Sequence, residues 1–175
     1  MSNGNATADG RLDLLKRGGV TAAADFAPGT DVPVGFSLRM PSEKVVRTVV
    51  VGGNFGATFQ WHLDPNCKVT AVCDLRDDRL ERLVRAYGPA AKYKDFRTFL
   101  KHPELDAVAI FTPVPLHVWM ATEAMKAGKH VISAVPAGYS VEELELLLEV
   151  VKKTGMKYMM AETSYYYPQI ITARA

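Results

Sequence analysis

Runs of contiguous apolar residues alternate with amphipathic stretches along this chain from Val45 onward. The first run, Val45-Val46-Arg47-Thr48-Val49-Val50-Val51, is mostly β-branched and suits a strand buried on both faces. It breaks into Gly52-Gly53-Asn54-Phe55-Gly56, after which the residues from Ala57 to Leu63 are expected to continue as a helix. Further strands are expected from Lys68 to Cys73, near Ala91 to Tyr93, from Ala107 to Phe111, from His130 to Ser133 and from Lys157 to Glu162. Between them, Leu80, Leu83, Val84 and Tyr87 recur at helical spacing, and Gly88 closes that helix. Asp95 is placed to cap a helix from Phe96 to Lys101, and a second runs from Leu116 to Ala127, ended by Gly128. Ser140 and Glu143 form an S-x-x-E capping box ahead of the stripe Leu144, Leu147, Leu148 and Val151, with Gly155 as the stop. Strands alternating with crossover helices predict an α/β fold, a doubly wound parallel sheet with helices on both faces.

In such a sheet, ligands bind outside the carboxyl ends of the strands, where the strand order reverses. Those ends carry Gly52 to Gly56, Asp74, Thr112 to Pro115 and Ala134 to Gly138. A strand, a glycine turn and a helix in that order present free backbone N–H groups to a diphosphate. Against the G-x-G-x-x-G pattern ending at Gly56, the second glycine is Gly53 and the first position holds Val51. Gly52 is therefore expected to make the tight turn one residue late, with Gly53 leaving room for the diphosphate. Asp74 lies 21 positions beyond Gly53, close to the spacing of about 20 for an acid that bonds the adenosine ribose hydroxyls. That reading is preferred to a plain helix cap, although one carboxylate can do both. Asp74 also repels a 2′-phosphate, whereas Arg76 is able to pair with one. NAD is accordingly expected ahead of NADP.

Composition narrows the remaining possibilities. At 175 residues the chain supports one domain with a sizeable core, and its 48% hydrophobic and 23% charged content is ordinary for a globular protein. A net charge of +2 without a basic stripe gives no sign of a nucleic-acid partner. No run reaches the roughly 20 apolar residues of a membrane-spanning helix. Cys67 and Cys73 have neither metal-ligand nor disulfide-framework spacing, and Cys73 reads as a reduced core residue. No metal site is expected. Residues 1–43 read as a flexible arm or a decayed export leader, residues 44–168 as the nucleotide-binding domain and residues 169–175 as the start of a further domain. A cytoplasmic location is expected, with export through such a leader left open.

The pattern Val-x-Gly-x-x-Gly, the acid Asp74, Thr112-Pro113 with His117, and Ala127-Gly128-Lys129-His130-Val131 together resemble the N-terminal half of the Gfo/Idh/MocA oxidoreductases. The resemblance covers roughly Val45 to Pro168. It implies a Rossmann-type domain holding a nicotinamide dinucleotide, hydride transfer with a sugar, polyol or related hydroxy compound, and a second α/β domain with the substrate face. It also implies a homo-oligomer for the full-length protein. Gly52, Gly53, Asn54, Phe55, Gly56, Asp74, Arg76, Thr112, Pro113, His117 and Pro136 become the candidate cofactor contacts. His117 has two readings, a packing residue in a first helical turn or a residue beside the cofactor. His62, His102 and His130 show no ligand spacing, and Tyr165, Tyr166 and Tyr167 read as packing residues. Two departures matter. The family reads Glu-Lys-Pro where this chain has Ala134-Val135-Pro136, so Val135 stands where a lysine hydrogen-bonds a reacting group. The chain also stops soon after Pro168. The alternative function is therefore a catalytically silent dinucleotide-binding or assembly module.

Overall fold

A computed structural model describes residues 43–164 and 168–173. The arm expected over residues 1–43, Glu43 apart, and the three tyrosines at 165–167 lie outside the described residues. In chain order the regular elements are β1 (Val46–Val51), β2 (Cys67–Cys73), α1 (Asp77–Tyr87), β3 (Ala91–Tyr93), α2 (Phe96–Phe99), β4 (Ala107–Ile110), α3 (His117–Lys126), β5 (His130–Ala134), α4 (Val141–Thr154), β6 (Tyr158–Ala161) and α5 (Pro168–Ala173).

All six strands pair in parallel, in the order β3-β2-β1-β4-β5-β6. The order reverses at β1, which pairs with β2 on one side and with β4 on the other. Period-two alternation sends Val49 and Val51 to one face and Val50 to the other, and all three are buried. On the first face Phe96, Phe99, Val118, Met125, Leu147 and Val150 complete a core beneath α2, α3 and α4. On the second face Val50, Val72 and Ala109 pack with Leu80 and Leu83 of α1 and with Phe111. The expected doubly wound sheet is the observed one.

The helix expected from Ala57 to Leu63 does not form. Two short 3-10 turns, Gly56–Thr58 and Trp61–Leu63, replace it. The link into β2 is short and ends in Asp64-Pro65, and a residue before proline is driven out of the helical region. Phe59 gains more from the core: its ring stacks on Phe111 at 4.4 Å and on Trp61 at 5.4 Å, while Phe55 meets it edge-on at 5.1 Å. The Tyr87 hydroxyl closes the segment by donating toward the Gly56 and Phe59 carbonyls, at 2.5 and 2.7 Å.

Capping follows the sequence closely. Asp95 accepts a hydrogen bond from the Arg97 N–H at 2.8 Å, and Ser140 accepts one from the Glu143 N–H at 3.2 Å. Glu143 reaches back to the N–H of Tyr139 rather than that of Ser140, a variant of the expected box. Gly88 and Gly155 end α1 and α4 in the left-handed region. The stripe expected on α4 is only half correct: Leu147 is buried with Val150, whereas Leu144 and Leu148 face outward.

Candidate cofactor cleft

The carboxyl ends of β1, β2 and β4 surround a cleft of about 370 Å³. Gly52, Asn54, Asp74, Arg76, Thr112 and Pro113 line it, together with Leu75, Arg79, Lys94, Phe96, Trp119 and Met120.

The turn after β1 is fixed by contact on two sides. Gly52 has φ +96°, and a Cβ there would lie 2.4 Å from the Phe111 carbonyl oxygen. Its N–H donates to the Cys73 carbonyl at 3.0 Å. No side chain fits. Gly52 thus makes the tight turn, and Val51 simply ends β1. Gly53 differs from expectation: a Cβ there would lie 2.1 Å from the backbone oxygen of Arg79, so its first role is to let the turn pack against α1. Gly56 is close to Phe111 and Val50, each 3.0 Å from an added Cβ.

Asp74 is buried and ties this turn to β2. One carboxylate oxygen accepts the Gly53 N–H at 2.7 Å and the other accepts the Arg76 N–H at 2.9 Å. The spacing noted in the sequence is thus a direct contact between Asp74 and the glycine turn. Asp74 does not cap α1, whose N-cap is Arg76. The Arg76 guanidinium turns to Asp78, with bonds of 2.9 and 3.1 Å, and this pairing holds the Asp78 carboxyl below its ordinary range. Lys94 pairs with Asp77 at 2.6 Å.

The N–H groups of Asn54 and Phe55 make no hydrogen bond among the described residues. They sit at the apex of the turn, immediately ahead of the 3-10 turn at Gly56–Thr58. Asn54, the Asp74 carboxylate and the apolar side chains of Phe96, Trp119 and Met120 line one cleft, with the Phe55 N–H next in the turn. This set fits a dinucleotide: the donors suit its diphosphate, the acid its ribose and the apolar side chains its adenine. Burial pushes the Cys73 thiol up to about 12, with Asp74 and Asp95 adding to the effect, which keeps it protonated at neutral pH.

His117 does not line the cleft. It is 1% exposed, and its ring lies between two backbone carbonyls, with Nδ1 2.8 Å from Pro136 O and Nε2 2.8 Å from Thr112 O. Any part it plays toward a cofactor is indirect. The loop beyond β5 brings half-buried Val135 and exposed Pro136 to the same end of the sheet, with Ala134 buried beneath them. Phe96, Trp119 and Met120 were not among the sequence candidates, since nothing in helix periodicity marks which core residues border a cleft. A metal-binding cluster of His, Cys, Asp or Glu does not occur among the described residues. Nor is any helix among them long and apolar enough to cross a membrane.

Residues 46–162 match the family described as "Oxidoreductase family, NAD-binding Rossmann fold". The chain belongs to this Gfo/Idh/MocA family. A glycosyl hydrolase family 109 protein of Saccharopolyspora erythraea is 34% identical over 141 residues, which is 74% of this chain and 31% of that protein. Among solved structures, apo scyllo-inositol dehydrogenase from Lactobacillus casei matches with a TM-score of 0.68 at 25% identity, over 76% of this chain and 41% of that one. The same enzyme with bound NAD(H) and scyllo-inositol matches at 0.63 and 26%, over 75% and 42%. A 3-ketoreductase from Actinomadura kijaniata in complex with TDP-benzene and NADP matches at 0.67 and 25%, over 74% and 42%. The chain spans about a third of the length of the curated relatives it matches. It carries the family's NAD(P)-binding domain.

Proposed function

We propose that this domain binds NAD across the carboxyl ends of β1, β2 and β4, as the cofactor-holding part of an oxidoreductase acting on a sugar, polyol or related hydroxy compound. The observation that carries the reading is the Asp74 carboxylate, bonded to the glycine turn and lining the cleft beside two free N–H groups. When bound, the nicotinamide accepts or returns a hydride. Asp74 orients the adenosine ribose, Asn54 and Phe55 offer N–H donors to the diphosphate, and Phe96 and Trp119 shelter the adenine. NAD is preferred to NADP because Asp74 sits at the ribose position while Arg76 is engaged with Asp78. Relatives that hold NAD(H) with scyllo-inositol, or NADP with TDP-benzene, support the broader cofactor and substrate class.

The name of the curated relatives favours a second reading, cleavage of a glycoside, and the uncharged Ala134-Val135-Pro136 corner is compatible with it. Calorimetry with NAD and NADP tests the binding claim, and tighter NADP binding would overturn the preference. Parallel assays for NADH formation on a polyol panel and for release from aryl glycosides separate the two reactions. NADH formation is the expected result. Glycoside release without NADH would replace it.

A further inference from the structure

We propose that His117 is a positioning residue that holds the loop after β4 and the corner after β5 as one unit, donating a hydrogen bond from each ring nitrogen. Its side chain is fully buried at the start of α3. Nδ1 lies 2.8 Å from the Pro136 carbonyl and Nε2 2.8 Å from the Thr112 carbonyl. Both partners only accept. A neutral ring carries one N–H and serves one of them; the doubly protonated ring serves both. Thr112 and Pro136 follow β4 and β5 in irregular backbone, where no strand ladder supplies their carbonyls with a donor. The ring supplies it to both loops at once.

Charged side chains are sparse around this ring. Residues 107–113 and 131–138 contain no charged side chain, so neither strand end brings one to the ring. From α4, Glu143 stands against this corner: a Cβ on Gly138 would lie 2.9 Å from the Val118 side chain and 3.1 Å from a Glu143 carboxylate oxygen. That carboxylate already accepts the Tyr139 N–H. On its own helix the next charged residue is Glu123, more than one turn away.

The consequence for ligand binding rests on the function proposed above. Thr112 and Pro113 line the cofactor cleft, and Val135 and Pro136 form the corner next to it. A ring bonded to both keeps the corner in register with the cleft.

Long-range proton–nitrogen spectra of the 15N-histidine-labelled protein test the assignment, with His117→Asn identifying the signal. Two slowly exchanging ring N–H resonances are expected from His117. A single ring N–H in the folded protein overturns double donation. A structural role alone would not require two ring protons, so this readout separates the two. The link to the cleft is read by NAD affinity. His117→Phe keeps the bulk without a donor and should weaken binding about tenfold, and His117→Asn, with one amide donor group, should recover part of the loss. Unchanged affinity in His117→Phe overturns the coupling. If the parent itself binds no NAD, the proposed function fails while the ring spectrum still decides the double bond.

Discussion

The glycine turn after β1 and the corner after β5 occupy the same end of the sheet, yet they are determined in opposite ways. At the turn, substitution is blocked from two directions: Gly52 by its positive φ and the Phe111 carbonyl, Gly53 by the Arg79 backbone on α1. Its polar groups are also assigned, since Asp74 takes the Gly53 N–H and Cys73 takes that of Gly52. At the corner, Ala134-Val135-Pro136 brings small apolar groups, tied to side chains by the Ser133 hydroxyl on the Ala134 carbonyl and the His117 ring on the Pro136 carbonyl. The difference teaches where selection of residue type comes from. The turn is fixed by the fold itself before it meets any ligand, whereas at the corner the backbone is held and half-buried Val135 leaves room for other side chains.

Breaking the turn should therefore give the largest effect. Gly53→Val places side-chain carbon where the Arg79 carbonyl stands, so the turn or the α1 backbone must shift. We expect a loss of about 3 kcal/mol in stability, read as a lower urea midpoint. Loss of NAD binding alone, with an unchanged midpoint, would show that the space at Gly53 belongs to the ligand after all.

Asp74→Asn probes the polar half of the same turn. An asparagine offers one oxygen and one amide nitrogen where the carboxylate offers two acceptors, so either the Gly53 or the Arg76 N–H faces a donor. The expected cost is about 1–3 kcal/mol in stability. NAD affinity should fall about tenfold, with NADP affected less because a repelling charge is gone. Equal loss for both cofactors would mean that Asp74 acts only through the turn.

Asp106→Asn is a control at the opposite end of the sheet. Asp106 accepts bonds from the Arg47 backbone N–H and from its guanidinium, at 2.9, 2.8 and 2.7 Å, and that guanidinium holds the carboxyl well below the usual range. A carboxyl depressed on folding contributes stability that is fully present above its unfolded value of about 3.9 and lost as pH falls through the folded one. The substitution should lower Tm by roughly 5 °C at neutral pH, and the gap from the parent should shrink on acidification below about pH 4. NAD affinity should not move. A constant gap across that range would mean that shape rather than charge holds the pair.

The sheet was legible because most strands are short β-branched or apolar runs, and three of them meet a clear boundary residue, at Val51-Gly52, Cys73-Asp74 and Asp106-Ala107. The interval from Gly53 to Asp74 was legible as a fixed spacing, and in the fold it is a single strand-to-strand step that ends in contact between the two. The segment after Gly56 was not. Its residues permit a helix locally, and only the tertiary stack of Phe59 on Phe111 shows why they fold otherwise. His117 was half legible: the pattern marked it as special together with nearby Thr112, but its second carbonyl partner, Pro136, comes from the loop beyond the next strand. Arg76 was visible as a cation two residues beyond Asp74, and its capture by Asp78 was not.

The smallest effect is expected at the corner. Val135 is half-buried, so a lysine there can lay its methylenes over the apolar surface and keep its ammonium in water. Ala134 is different. It is 7% exposed and packs in the core with Val50, Ala109 and Phe111, so a glutamate there buries a carboxylate with no partner assured. Val135→Lys is therefore the better single probe, and Ala134→Glu with Val135→Lys should be the less stable variant. The lysine variant should keep NAD affinity within about twofold, because one ordinary surface substitution changes interaction free energies by about 0.5 kcal/mol or less. If the corner acts on substrate, the added donor should raise turnover on a hydroxy compound by up to about 10²–10⁴-fold, the range for general acid–base help. A tenfold change in NAD affinity would instead make the corner part of the binding site, and the contrast with the glycine turn would no longer hold.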